Sequence, residues 1–383
     1  MNFRNGGLMD RLSGRLISLD VFRGITIAGM ILVNNPGTWS KVYPPLLHAP
    51  WNGWTPTDFV FPFFLFIVGV AMSLSFSKRI ERGNSKSQLY VKIISRTLII
   101  FAIGFFLNLF PFFNFKEVRI PGVLQRIALC YFFASVIIVE FNKKWQIGWA
   151  VFLLGIYWIM VKLVPVPGYG AGVLEPKGSL CWYIDSNLLA GHTWKGAPAP
   201  GFDPEGILST LPAIVTVLFG VFAGDWIRSP REHYEKVSSL FVFGILGLVI
   251  GEILKGWLPI NKNLWTSAYS IFMAGMALIF LAMCYWFIDI KGYKKWGKPF
   301  IVFGSNAILV FSLSSLIAKT TIYVKWHQAD GNEIALKTFL YRNLFASCAG
   351  NNEFSSLLYP ISLLLFWLGI IWILYRKNIF VKI

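Results

Sequence analysis

Long apolar stretches recur along the chain, separated by polar segments of uneven length. A helix needs about 20 mainly apolar residues to cross a hydrocarbon core of roughly 30 Å. Stretches that meet this requirement lie at 19–34, 58–77, 93–111, 121–140, 146–164, 206–226, 237–255, 265–287, 299–318 and 356–375. The first is the shortest and carries Asp20 and Arg23. The pattern predicts an all-α polytopic integral membrane protein with about ten transmembrane helices, forming one transmembrane domain over 1–383. Three of the intervening segments are long, at 35–57, 165–205 and 319–355, and the others are short.

Charge orients this array. Most of the 35 lysines and arginines fall in the N-terminal segment, in the short loops near 78–92, 143–144, 228–236 and 291–298, and at the C-terminus. Basic residues concentrate in cytoplasmic loops, so both termini are expected in the cytoplasm, with 1–17 as a cytoplasmic segment and the three long loops outside. The composition agrees: 56% of residues are hydrophobic and only 14% charged, against roughly 25% charged in soluble proteins. An excess of 35 basic over 18 acidic residues could suggest nucleic acid, but the loop distribution accounts for it without such a partner. The lipid bilayer is the expected environment. Four cysteines are scattered without metal-ligand spacing, so no metal site is expected. Cys181 and Cys348 both fall in outer loops, which leaves a disulfide between them open. The first nineteen residues do not read as a cleavable signal peptide. The chain also has no Asn-x-Ser/Thr sequon, which points to a bacterial inner membrane.

Polar chemistry concentrates in the stretch Asn34–Phe66. Prolines 36, 44, 45, 50 and 56 and glycines 37 and 53 rule out a long helix through it. It contains His48, one of four histidines, and ten residues later Asp58. A carboxylate can fix an imidazole tautomer and stabilise its protonated form while the second nitrogen acts as base or nucleophile. A single histidine in an outer loop is more commonly a surface hydrogen-bonding residue, and the residue chemistry alone leaves both readings open. Within the spans, Asp20 with Arg23 and Glu252 with Lys255 are spaced to pair on a helix face. Arg126 calls for a partner at its depth. Asn34, Asn108 and Asn306 suit interhelical hydrogen bonds, and Asn34 leads directly into the histidine loop.

Several motifs occur in order along the chain: Ser18-Leu-Asp20-Val-Phe-Arg23-Gly24, Val33-Asn34, His48-Ala-Pro-Trp51-Asn52-Gly53 and Asp58-Phe-Val-Phe-Pro62. They continue with Arg119-Ile-Pro-Gly-Val-Leu-Gln125-Arg126, Phe202-Asp203-Pro-Glu205-Gly206, Pro259-Ile-Asn261-Lys-Asn263-Leu-Trp265, Asn306-Ala-Ile-Leu-Val and Tyr375-Arg-Lys-Asn-Ile-Phe. From about residue 15 onward the chain resembles the heparan-α-glucosaminide N-acetyltransferase family of transmembrane acyltransferases. It differs from the lysosomal members in lacking a long amino-terminal extension with an extra span, and in the content of loop 165–205.

The resemblance implies acetyl transfer from cytoplasmic acetyl-CoA, as co-substrate, to a glucosamine-type sugar or glycan on the outer side. The family's active-site histidine matches His48, with Asp58 to orient it and Asn34 as donor to a developing oxyanion. Arg23, Lys78, Arg79, Arg119, Gln125 and Arg126 are the candidates for contact with CoA. Trp51, Asn52, Asp203, Glu205, Asn261 and Trp265 are the candidates for the acceptor. A homodimer is a further implied partner. Acetylation of His48 followed by attack of the amine, and direct transfer with His48 as base, both remain open. The competing class is an amino-sugar transporter or permease without acyl transfer.

Overall fold

A computed structural model describes residues 16–81, 83, 85–327 and 333–381; for residues 78–81 only the backbone is described. The membrane-length helices are α1 (Ile17–Asn34), α2 (Val60–Glu81), α3 (Lys86–Leu109), α4 (Val123–Glu140) and α5 (Lys143–Leu163). After a short α6 (Leu180–Leu188) come α7 (Thr210–Arg228), α8 (His233–Leu254) and α9 (Ser267–Cys284). Then follow α10 (Lys298–Ser305), α11 (Ala307–Tyr323), a small α12 (Leu336–Tyr341) and α13 (Glu353–Arg376). All ten predicted spans have a helical counterpart, and the fold is that of an all-α polytopic membrane protein. Strand structure among the described residues is slight: Lys325–His327 pairs antiparallel with Glu333–Ala335. The segment 333–346 is divided into a strand, α12 and a π turn.

One span departs from expectation. The apolar run 299–318 is two helices, α10 and α11, that meet at 80°. The break falls at Asn306, whose amide bonds outside the helix: it donates to the Ile379 carbonyl (3.1 Å) and accepts from the Val381 N–H (2.7 Å). Asn306 therefore fastens the C-terminal segment rather than joining two spans. Asn108 likewise bonds the loop after its own helix, donating to the carbonyls of Arg119 and Pro121, both at 2.9 Å.

In lipid, helices associate through close packing of small residues, and the central crossings here are built that way. A Cβ added to Gly69 of α2 would lie 1.9 Å from the Val217 carbonyl oxygen of α7, and one on Gly220 would lie 2.0 Å from that of Phe66. The α1–α10 crossing repeats the device, with Gly24 against Phe300 and Gly304 against Asp20. Asp20 and Arg23 pair at 3.3 Å, as their spacing predicts. Glu252 and Lys255 also pair, at 3.1 Å on an exposed surface.

The connections 35–59, 110–122, 164–209, 255–266 and 324–352 gather at one end of the bundle. They are laced together there: Gly53 N–H donates to Ile260 O (2.8 Å), Ile120 N–H to His192 O (2.9 Å) and Gly37 N–H to Ser356 O (2.9 Å). His192 also contacts the Val118 carbonyl through Nδ1 (2.8 Å), a loop-tying role. Cys181 is buried in α6 and Cys348 is exposed; both are free thiols.

Candidate active site

The loop after α1 owes its shape to its prolines. Two single-turn 3₁₀ helices, Pro44–Leu46 and Pro56–Phe59, each begin on proline. The second opens with a capping box in which Thr55 is the N-cap and Asp58 the N3 residue. Such a box satisfies the free N–H groups at a helix start reciprocally. One oxygen of Asp58, Oδ2, accepts from Thr55 N–H (2.9 Å), Thr55 Oγ1 (3.2 Å) and Ala49 N–H (3.1 Å). Its other oxygen, Oδ1, lies 2.7 Å from His48 Nδ1. Asp58 is 1% exposed, whereas the His48 side chain is 47% exposed. A buried carboxylate thus holds an accessible imidazole by one nitrogen. The Tyr269 hydroxyl fixes the turn from below by donating to the Asp58 carbonyl (2.8 Å).

His48 lines a cavity of about 540 Å³ that opens among the gathered loops. Its floor is apolar, from Met30, Val33, Phe61, Phe64, Val123, Ile127 and Phe311. Its rim carries His48, Asp58, Asn34, Arg119, Trp194, Glu205, Lys262 and Asn263. Asn34 is the last residue of α1 and is exposed. Among the described residues its amide has no hydrogen-bond partner, which leaves it available to a ligand.

The far wall is organised by Arg119. Its guanidinium clamps Asp203 through Nε (2.8 Å) and Nη2 (2.5 Å), bonds Glu205, and lies 5.6 Å from the centre of the Trp194 ring. Asp203 in turn accepts from the N–H groups of Trp194 (2.9 Å) and Glu205 (3.0 Å). Burial alone would raise the Glu205 carboxyl, but Arg119, Arg126 and Lys262 override it and hold the group below its ordinary value. Burial would likewise lower Arg119, and the two carboxylates hold it above its ordinary value. Both groups are therefore ionised near neutral pH.

Lys262 escaped the sequence reading as a site residue. Its ammonium lies 3.0 Å from His48 Nδ1, 3.1 Å from Nε2 and 3.6 Å from Asp58 Oδ1. Burial pushes it below the ordinary lysine value, and the Asp58 and Glu205 charges partly offset that. No local pattern marks it, since it lies 214 residues from His48 in sequence. The spacing Thr55-Pro-Thr-Asp58 is by contrast a local signal of a capped helix start.

The other sequence candidates with described side chains sit outside the cavity. Gln125 and Arg126 are buried behind its wall, because Val123 and Ile127 are the α4 residues that face it. Arg126 donates to the Gly206 carbonyl (3.0 Å) and to Ser209 and lies 5.3 Å from the Trp265 ring centre, so its partners are a carbonyl, a hydroxyl and a π face. Trp51 packs edge-on against Phe202 and donates to the Leu174 carbonyl (3.0 Å). Asn52 accepts from Asn261 (3.0 Å), which is fully buried, as is Trp265. These four hold the loops together. Arg23 lies in the first half of α1, bonded to Asp20 and the Gly304 carbonyl. The side chains of Lys78 and Arg79 lie outside the described residues.

The arrangement of a carboxylate-held imidazole, an unpartnered amide and an ionised rim suits proton transfer beside an acyl group. The family model "Heparan-alpha-glucosaminide N-acetyltransferase, catalytic" matches residues 15–251. The chain belongs to that family. Curated proteins named heparan-alpha-glucosaminide N-acetyltransferase from Homo sapiens and Mus musculus are 30% and 29% identical to it. The alignments cover 98% and 97% of this chain but 61% of each relative's length. The matched residues of this chain take in the His48 loop, Arg119, Asp203 and Glu205; Lys262 lies beyond them.

Proposed function

We propose that this protein is a transmembrane N-acetyltransferase that moves acetyl from cytoplasmic acetyl-CoA to the amine of a glucosamine-type sugar on the outer, periplasmic side of a bacterial inner membrane. The observation that carries the reading is the His48–Asp58 pair at the mouth of a cavity in a chain of this family. The sidedness rests on the basic loops, whose charge favours a cytoplasmic position for both termini. Partners in this reading are acetyl-CoA, the amino sugar, the bilayer and a second copy of the chain. A transporter reading is less well supported, because transporter sites lie near the midplane whereas this cavity opens among loops at one end.

Chemically, the acceptor ammonium is held by Glu205 and stacked by Trp194, and the thioester lies across the apolar floor. The ammonium first releases one proton to solvent; His48 then accepts a second from the attacking amine at Nε2, with Asp58 fixing the tautomer at Nδ1. The amine nitrogen bonds the thioester carbon, and Asn34 donates to the developing oxyanion. The C–S bond then breaks, and the imidazolium returns its proton to the departing CoA sulfur. Direct transfer is preferred to acetylation of His48, because Asp58 then needs only to orient and stabilise one imidazole.

Purified protein in detergent or liposomes, given radiolabelled acetyl-CoA with glucosamine, its oligomers or heparan fragments, tests the reading. Acetylated product from wild type and none from His48→Ala is the expected result. Uptake of sugar without acetylation would instead establish transport. Label found on His48 in the absence of acceptor would replace direct transfer by a covalent intermediate.

A further inference from the structure

The segment that carries Lys262 is fixed more firmly than a connection between two helices requires. Asn261 is fully buried and accepts from the Leu264 N–H (2.8 Å). The Thr266 hydroxyl donates to the Pro259 carbonyl (2.6 Å), and the Tyr157 hydroxyl reaches the Leu264 carbonyl (2.5 Å). Trp265 adopts a positive φ of 48° while 1% exposed. A left-handed conformation at a bulky residue is strained and persists only where the surroundings impose it. Neighbours on both sides of Lys262 are thus locked into the scaffold, and Lys262 and Asn263 are the residues of this segment that line the cavity.

The position of the ammonium is informative. It is almost equidistant from the two nitrogens of His48, at 3.0 and 3.1 Å. A point that near both nitrogens cannot lie in the ring plane without overlapping Cε1, so the ammonium sits over the face of the imidazole. The in-plane lone pair of Nε2 is left open towards the cavity. A cation is therefore held beside the base without occupying the position where the base acts. Carboxylates flank it, Asp58 at 3.6 Å and Glu205 across the rim, and both favour its charged form.

We infer that Lys262 is a catalytic residue, donating from Nζ to the oxyanion formed when the amine attacks the thioester; this rests on the acetyl-transfer reading. As the amine adds, the carbonyl π pair moves onto oxygen and creates a full negative charge within reach of Nζ. The same step places a positive charge on His48, which Asp58 neutralises. With Asn34 as second donor, the oxygen is held from two sides. When the C–S bond breaks, the charge passes to sulfur and is quenched by the proton from His48, and Lys262 neither gains nor loses a proton over the cycle. A preorganised donor of this kind is worth roughly 10²–10³ in kcat.

The test compares Lys262→Met, Lys262→Gln and Lys262→Arg with wild type, and Lys262→Ala with and without ethylammonium. The expected result is a loss of roughly 10²–10³-fold in kcat for Met and Gln, with KM for both substrates changed only a few-fold. Arginine should recover a substantial part of that loss, and ethylammonium should restore the alanine variant saturably. A scaffold role would move thermal stability and give no chemical rescue. The inference is overturned if a folded Met or Gln variant keeps kcat within about threefold of wild type, if the loss is confined to KM, or if neither arginine nor ethylammonium restores turnover. His48→Ala is run alongside. An active His48→Ala would overturn the acetyl-transfer mechanism itself, whereas an inactive His48→Ala beside a fully active Lys262→Met removes Lys262 alone.

Discussion

Asp58 grips His48 with one carboxylate oxygen, at 2.7 Å, and uses the other to organise the loop that delivers that histidine. Positioning of the base and folding of its loop therefore depend on one side chain, and substitutions can separate the two. Asn at position 58 can still accept the loop donors through its oxygen. Its NH₂ group then faces His48 Nδ1, forces that nitrogen to accept, and moves the imidazole proton to Nε2, where a base is needed. Asp58→Asn is expected to fold and lose roughly 10²–10⁴ in kcat. Asp58→Ala also strands the donors of Thr55 and Ala49 and is expected to be less stable by about 2–4 kcal/mol. Thermal unfolding measured alongside turnover distinguishes the two variants.

The Arg119 clamp makes a stability prediction. Removing one partner of a buried ion pair leaves an uncompensated charge and costs roughly 3–5 kcal/mol. Arg119→Met would leave Asp203 and Glu205 facing one another and should lower the thermal midpoint and expose 164–209 to proteolysis. Adding Asp203→Asn and Glu205→Gln to that variant should recover much of the lost stability, because it removes the stranded charges. A single variant as protease-resistant as wild type would contradict this account of the wall.

Asp185 gives a pH dependence outside the site. It is fully buried in α6 and accepts from the Ile207 N–H (3.0 Å) through one oxygen, while the other has no partner. Burial pushes its carboxyl up to about 7 from 3.8, against the opposing effect of that hydrogen bond. Between these values the unfolded chain has released the proton and the folded chain retains it, so stability falls as pH rises from about 4 to 7. Asp185→Asn, which keeps an acceptor for Ile207, should stabilise the protein at pH 8 by an amount on the order of 4 kcal/mol, read as a higher thermal midpoint, and have little effect near pH 4. An equal effect at both pH values would rule out the ionisation as its cause.

The glycine crossing of α2 and α7 predicts a contrast within one residue type. Gly220→Leu must push aside the Phe66 carbonyl and displace α2, the helix that follows directly from Asp58. It should lower both the yield of monodisperse protein and turnover. Gly148→Ala in α5, where an added Cβ meets nothing within 4 Å, should match wild type in both measurements and be slightly favoured by helix propensity.

Hydropathy was enough to place every span, because a lipid-crossing helix must be apolar along its whole length. It could not reveal the break at Asn306, since one amide in a long apolar run hardly changes the average. Nor could it say which helix face looks inward. Arg126 stood out as a charge within a span, yet the α4 face towards the cavity belongs to Val123 and Ile127. His48 and Asp58 were legible because they are ten residues apart and joined by a turn with local signals. Lys262 meets them only through tertiary packing. Trp51, Asn52, Asn261 and Trp265 belong to recognisable motifs, but a motif does not separate groups that contact a ligand from groups that brace the loop.

The rim of the cavity sets two carboxylates, Asp58 and Glu205, against two cations, Arg119 and Lys262, with Asp203 buried behind Arg119. Glu205 offers an arriving ammonium a counter-charge at that rim. Acetylation turns that ammonium into a neutral amide. Under the proposed reaction the acceptor therefore enters matched to the site and leaves mismatched to it, so the chemical step itself weakens the hold on the product and drives turnover forward.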